Sequence, residues 1–297
     1  MTEGGRRGDG LAHQAGELRR QEFDVLREKN GGRRLTEVGA PSGSLAEGGI
    51  RIDDLSKTYV RTTGTEIIRT HALKGVEVRV RPKEFVSLIG PSGCGKTTVL
   101  KIIAGLLTPS DGEVWIGDKK VEGPGTDRAT VFQYPGLMPW KNVVDNVVLA
   151  LEFAKVPKDE RLPRAIRYVD LVGLSEFHGH YPNELSGGMQ QRVGLARALA
   201  IEPNVLLMDE PFGALDAITR AHMQTELVRI WEQEKKTVLF VTHSIDEAIL
   251  LSDRIAVMKD GAVLQEVTVS IPRPRTREGL VEDQVAIALK RQLVSLL

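Results

Sequence analysis

The octapeptide Gly90-Pro91-Ser92-Gly93-Cys94-Gly95-Lys96-Thr97 constrains this chain more than any other segment. It fits the pattern G-x-x-x-x-G-K-[ST], in which glycines let backbone N–H groups close around a phosphate. Such a loop needs a strand before it and a helix after it, because the positive end of the helix faces the anion. Both flanks are legible. Phe85-Val86-Ser87-Leu88-Ile89 is the short apolar run of a buried strand. Lys96–Gly105 reads as a helix with Val99, Leu100, Ile103 and Ala104 on one face. By the pattern, Lys96 contacts the β- and γ-phosphates and the Thr97 hydroxyl ligates Mg²⁺. Many kinases and GTPases carry such a loop, so it fixes a core without fixing a reaction.

The rest of the chain arranges itself around that core. IRIDDL (50–55), GVEVRV (75–80) and EVWI (113–116) favour strands and predict a mainly antiparallel sheet. VLLM (205–208), TVLFVT (237–242) and RIAVM (254–258) continue the buried, parallel pattern. Between them, roughly residues 139–200, the periodicity is helical. Val143, Val144, Val147, Val148 and Leu151 form one stripe, and Met189, Val193, Ala196 and Leu199 another. The expected fold is therefore α/β: a phosphate-loop NTPase (RecA-like) core over residues 50–270, with an antiparallel β subdomain and an inserted α-helical subdomain near 139–200. Residues 1–49 are rich in glycine and charge and read as a mobile tail, with a weak helical face near Glu17–Lys29. In residues 271–297, Val281, Val285, Leu289, Leu293 and Leu296 mark an amphipathic helix that packs on its own domain or meets a partner.

Composition excludes several classes. Forty basic residues balance forty acidic ones, so no global field favours nucleic acid, and none is expected as a partner. No stretch approaches the roughly 18 to 20 apolar residues that span a bilayer, and the start lacks the apolar centre of a signal peptide. The single cysteine, Cys94, cannot form an intramolecular disulfide. His178 and His180 flank a glycine but lack further ligands for a metal.

Further polar groups sit at strand ends and helix starts. Val205-Leu206-Leu207-Met208-Asp209-Glu210 is an apolar strand closed by two carboxylates, which alone is a common surface turn. Ser186 opens the helix of residues 189–200 and by itself is a good N-cap. Gln133 ends the strand-like run ATVFQ, and His243 ends TVLFVTH. Tyr59 stands in SKTY, where an aromatic is often core.

Taken together, the phosphate loop and Leu185-Ser186-Gly187-Gly188-Met189-Gln190, about ninety residues later, resemble the ATP-binding-cassette (ABC) ATPases. The resemblance covers about residues 50–270 and implies ATP and Mg²⁺ as ligands. It assigns Tyr59 to stacking on adenine, and Gly90, Pro91, Ser92, Gly93, Cys94, Gly95, Lys96, Thr97 and Thr98 to the phosphates. Asp209 resembles the Walker B carboxylate that holds Mg²⁺ beside Thr97, and Glu210 the residue that polarises the attacking water. Gln133 resembles the glutamine that senses Mg²⁺ and that water and couples to the membrane subunit. His243 resembles the switch histidine at the γ-phosphate. Ser186, Gly187 and Gly188 resemble the signature that binds the γ-phosphate held by another subunit, and Asp216, in Ala214-Leu215-Asp216, the loop that crosses between subunits. Met189 departs from the commoner glutamine, leaving the phosphate-contacting residues intact.

One copy of each half-site per chain implies an ATP sandwich between two copies. It also implies integral membrane permease subunits and, through them, an extracytoplasmic solute-binding protein, with this chain peripheral at the cytoplasmic face of the membrane. VFQYPGLMPWKNVVDNV, PFGALDAITR and IPRPRTRE resemble importers of nitrate, taurine and alkanesulfonates. Two other readings stay open at this stage: an ABC ATPase outside transport, and a phosphate-loop kinase, which would need an acceptor site and no Ser186-Gly187-Gly188.

Overall fold

The computed structural model describes residues 48–63 and 66–297. The predicted tail up to residue 47, with the helical face near residues 17–29, lies outside the described residues. From Ile50 onward, strand β1 (Ile50–Thr63) pairs antiparallel with β2 (Glu66–Val80) and with β4 (Asp111–Ile116), and β5 (Lys119–Lys120) joins the edge of β4. This is the antiparallel sheet that the β-favouring runs predict.

The second sheet has six strands in the order β10-β9-β3-β8-β7-β6: β6 (Arg128–Val131), β7 (Val205–Asp209), β8 (Thr237–Thr242), β3 (Phe85–Ile89), β9 (Arg254–Lys259) and β10 (Ala262–Thr268). All pairs are parallel except β9–β10. Alternation along each central strand divides the core. Phe85, Leu206, Met208, Val238 and Phe240 face one layer, while Val86, Leu88, Val205, Leu207, Leu239 and Val241 face the other. That period-2 split lets a continuous apolar run serve two packed faces.

The second layer holds helix α1 (Lys96–Ile103) and the inner face of the antiparallel sheet. On the first layer lie α2 (Val143–Phe153), α3 (Lys158–Leu171) and α4 (Gly187–Ala200), the predicted helical stretch. Its core runs without interruption into the sheet's, since Val147, Leu151, Tyr168 and Val193 cluster with Phe85, Met208 and Phe240. Helix α5 (Ala217–Glu234) covers the same face through Met223, Leu227, Ile230 and Trp231. Fully burying each such side chain contributes roughly 1.5–3 kcal/mol, so this face fixes the strand ends firmly.

The C-terminal segment differs from its sequence reading. Instead of one amphipathic helix there are two, α7 (Arg277–Glu282) and α8 (Gln284–Leu296). Asp283 accepts from Val285 N (2.8 Å) and Ala286 N (2.9 Å), a cap that restarts the helix and breaks its phase. Val281 and Val285 are consequently exposed, whereas Ala286, Leu289 and Leu293 pack on Ile89, Ile255 and Val257, and on Ala248 and Ile249 of α6 (Ile245–Leu251).

Candidate active site

The phosphate loop lies between β3 and α1, as its sequence requires. Gly93 and Gly95 have φ of +80° and +104°, values that side chains resist. A Cβ on Gly95 would stand 2.6 Å from Leu73 Cδ2 and 2.7 Å from Ala72 O, so the loop is pressed against β2. Helix α1 has neither a side-chain cap nor an acid in its first turn, whereas α2 and α6 have both. Its first N–H groups therefore point to the loop with no side-chain acceptor, an arrangement that suits an anion. Lys96 is buried, and its Nζ donates to Gly90 O (2.8 Å) and Pro91 O (3.0 Å). Its ammonium thus sits inside the loop, where phosphate oxygens can replace those carbonyls. Pro91, Ser92 and Gly93 are exposed, Cys94 is buried, and Thr98 is half-buried in the first turn of α1.

Strand order brings the carboxylates to this loop. Asp209 ends β7, and its Oδ1 accepts from Thr97 Oγ1 at 3.0 Å. Burial holds the Asp209 carboxyl above its usual range. Repulsion from Glu210 works in the same direction, against the Thr97 hydrogen bond and the charges of Lys101 and Lys96. A hydroxyl and a partly desolvated carboxylate are hard oxygen donors, the set that Mg²⁺ accepts from proteins when substrate phosphates supply other ligands. Glu210 follows with φ +45°. Its N–H donates to Val241 O (2.9 Å), and its Oε2 lies 3.1 Å from His243 Nδ1, the first residue after β8. The two side chains are thus paired at adjacent strand ends.

Gln133 stands two residues past the end of β6 and does not end the strand itself. It is half-buried, and a Cβ on Gly213 would meet its Nε2 at 2.8 Å, which places it beside the turn that follows Glu210. Tyr59 lies within β1 opposite Thr70, two residues from the Ala72 that backs the loop, and the residue is 42% exposed.

Ser186 caps α4, accepting from Met189 N at 3.3 Å. Ser186 and Gly187 are exposed, while Gly188 faces Thr219 of α5, whose Cγ2 would lie 2.4 Å from an added Cβ. Asp216 caps α5, accepting from Ile218 N and Thr219 N at 3.0 Å each. Hydrogen bonds from Thr219 hold its carboxyl below the ordinary range. Among the described residues no hydrogen bond joins Ser186, Gly187, Gly188 or Asp216 to the phosphate loop of the same chain. His178 hydrogen-bonds Asp170 at 2.8 Å.

Three further side chains organise the segment on either side of Gln133. Gln191 Nε2 donates to Phe132 O (3.0 Å), and Arg197 donates to Gly136 O (3.0 Å) and Pro135 O. The wholly buried Asn146 brackets Met138, accepting from its N–H at 2.8 Å and donating to its carbonyl at 3.2 Å. Their signal in the sequence is faint: polar residues beside apolar helical stripes, which solvent exposure explains equally well. Tyr134 and Trp140 on this segment are 73% and 71% exposed.

The ABC transporter family profile matches residues 73–213. An uncharacterized ABC transporter ATP-binding protein of Methanocaldococcus jannaschii is 51% identical over 233 residues, 78% of this chain and 86% of that protein. The taurine import ATP-binding protein of Rhizobium johnstonii is 50% identical over 209 residues, 70% of this chain and 79% of its own. The nitrate import ATP-binding protein of Synechococcus elongatus is 42% identical over 261 residues, 86% and 94% of the two chains. A solved dimeric ATP-binding cassette in a post-hydrolysis state, with ADP and Pi bound, superposes with a TM-score of 0.64 at 38% identity, covering 75% of this chain and all of that one.

Proposed function

This chain belongs to the ATP-binding proteins of ABC transporters, and from that premise we propose that two copies of it close around two ATP molecules to drive import of a small solute. Its activity is ATP hydrolysis coupled to transmembrane transport, which removes the kinase reading that the phosphate loop alone leaves open. The observation that carries the two-copy arrangement is the separation of the half-sites. Lys96, Thr97, Asp209, Glu210 and His243 converge on one loop, whereas Ser186 and Gly187 stand exposed with no bond to it. A second copy supplies the missing donors, and the dimeric cassette that this chain resembles supports that geometry.

In this reading the loop N–H groups and Lys96 bind the phosphates, and Tyr59 stacks on the adenine. Thr97, Asp209 and Gln133 would hold Mg²⁺, which when bound would neutralise charge on the phosphates. Glu210 orients and deprotonates the attacking water, a contribution of about 10² to 10⁴ in rate. His243 bridges Glu210 and the γ-phosphate. Ser186, Gly187 and Gly188 of the second copy stabilise the transferring phosphoryl group and exclude water, with Asp216 at the crossing between copies.

The segment after Gln133 presents Tyr134 and Trp140 to solvent on a backbone held by Arg197 and Asn146. We assign it to the contact with a membrane permease, so that closure and opening rock the permease. Among the described residues no helix is long and apolar enough to cross a membrane. The chain would sit at the cytoplasmic face, with a solute-binding protein acting through the permease. The names of the taurine and nitrate relatives support a small oxyanion-bearing solute as cargo. The test is Glu210→Gln in ATP: light scattering should show a stable dimer that reverts to monomer when ATP is withdrawn. A monomer at saturating ATP would refute the sandwich.

A further inference from the structure

His243 is held by an extended chain of hydrogen bonds. The hydroxyl of Thr242, the residue before it, donates to Glu247 Oε2 at 2.5 Å and accepts from the N–H of Ser244, the residue after it, at 3.0 Å. Ser244 Oγ in turn accepts from Glu247 N at 3.3 Å. These bonds clasp the backbone on both sides of His243, whose ring meets Glu210 3.1 Å away.

The chain continues away from the site. Glu247 Oε1 accepts from Gln224 Nε2 at 2.9 Å, and Gln224 Oε1 accepts from Arg277 Nε (2.9 Å) and Nη2 (2.7 Å). Thr242, Glu247 and Gln224 are 1%, 6% and 0% exposed, while Arg277 lies at the surface on α7. The donor directions permit one arrangement. An amide can offer its N–H to Glu247 only if its oxygen faces Arg277, and the Thr242 hydroxyl must then donate to the other carboxylate oxygen. A buried carboxylate and a surface guanidinium are thereby joined through one amide.

We propose that Glu247, Gln224 and Arg277 are positioning residues for His243, so that the C-terminal segment tunes the rate of ATP hydrolysis through the turn after β8. The inference rests on the reading that His243 serves the γ-phosphate and Glu210. None of the three need touch nucleotide; they fix the direction in which His243 leaves the sheet. Loss of an angular constraint of this kind reduces turnover without loosening substrate, because the phosphate loop and Tyr59 are untouched.

The test compares purified full-length variants. Arg277 is exposed, so Arg277→Met should leave the core folded while freeing Gln224. We expect kcat to fall about fivefold with KM for ATP within about twofold of the parent, and Arg277→Lys to recover most of the loss. Glu247→Gln should lose about tenfold or more in kcat, because the new amide presents a donor to a partner that also donates. A second readout needs no turnover. The imidazole NMR signal of His243, assigned by its loss in His243→Ala, should shift in Arg277→Met while those of His178 and His180 stay in place. Unchanged kcat in Arg277→Met, or an unmoved His243 signal, would overturn the relay. Parental turnover in His243→Ala would instead overturn the underlying assignment of His243.

Discussion

Thr97 Oγ1 donates to Asp209 Oδ1 across 3.0 Å, joining the first turn of α1 to the end of β7. The two residues are 112 positions apart and meet because β3 and β7 both flank β8 in one parallel sheet. Burial raises the Asp209 carboxyl above its usual range. A raised folded-state value means the folded protein favours the protonated acid. That stability is fully present below the unfolded value of 3.8 and is lost as pH rises through the raised folded value. At neutral pH the ionised carboxylate is therefore a cost that a bound cation relieves.

It follows that Asp209→Asn should stabilise the nucleotide-free protein at pH 7 by roughly 2 °C in Tm, with the gain vanishing as pH falls to the ordinary carboxylate range. The same variant should lose the Mg²⁺-dependent part of the stabilisation by ATP. Scanning calorimetry with and without Mg²⁺ measures both effects, and a lower Tm for the variant at pH 7 would contradict the assignment.

Tyr59 offers a partly exposed ring on β1 beside the strand that backs the phosphate loop. Stacking of a base on an aromatic contributes about 1–3 kcal/mol, so Tyr59→Ala should weaken ATP binding about tenfold. Turnover at saturating ATP should hold, because no reacting group is moved. Tyr59→Phe should bind like the parent, since the ring supplies the contact. Fluorescent-nucleotide titration separates these outcomes.

How much of this was legible in the sequence follows from where each signal resides. The phosphate loop, β3 and α1 were readable because strand, glycine turn and helix are contiguous and each has its own pattern. Asp209 and His243 were readable because buried parallel strands end abruptly, and a polar residue at such an end stands out. The C-terminal helix was misread because Val281 and Val285 continue the spacing of Leu289 and Leu293, while one capping carboxylate at Asp283 overrides the period. Gln133 was placed on its strand because ATVFQ is unbroken in type, although pairing with β7 stops at Val131. The Glu247–Gln224–Arg277 chain left no local trace, since each bond spans more than twenty residues and each polar residue alone reads as a solvated helix face.

Gly188 tests the junction of the signature helix with α5. An added Cβ would stand 2.4 Å from Thr219 Cγ2, and threonine has little rotamer freedom on a helix. Gly188→Ala should therefore cost about 1–3 kcal/mol through overpacking. Adding Thr219→Ser removes the offending methyl and should restore most of that stability in urea unfolding. If the N-terminus of α4 approaches a second copy's phosphate, the double variant should still dimerise poorly in ATP. Recovery of stability and dimerisation together would mean that Gly188 serves packing alone.

Arg275 anchors the C-terminal segment by an unusual set of partners. The residue is 9% exposed, and its guanidinium donates to Ile249 O (2.9 Å), Ser252 O (2.6 Å), Ile271 O (2.9 Å) and Val269 O (3.4 Å). Ile249 and Ser252 close α6, so a cation stands at the negative end of that helix and satisfies carbonyls that no following turn can reach. Burial, with the like charge of Arg273, pushes the guanidinium down to about 10, while Asp253 works in the opposite direction. Arg275→Met should nevertheless destabilise the protein by about 3 kcal/mol, because the removal orphans several buried acceptors at once. Arg275→Lys should recover less than half, since one ammonium cannot span the same fork of oxygens. Urea unfolding gives the magnitude, and amide exchange gives the place: protection should fall first in α6 and α8, which pack together. A loss spread evenly over the whole chain would mean that Arg275 does not hold this segment in particular.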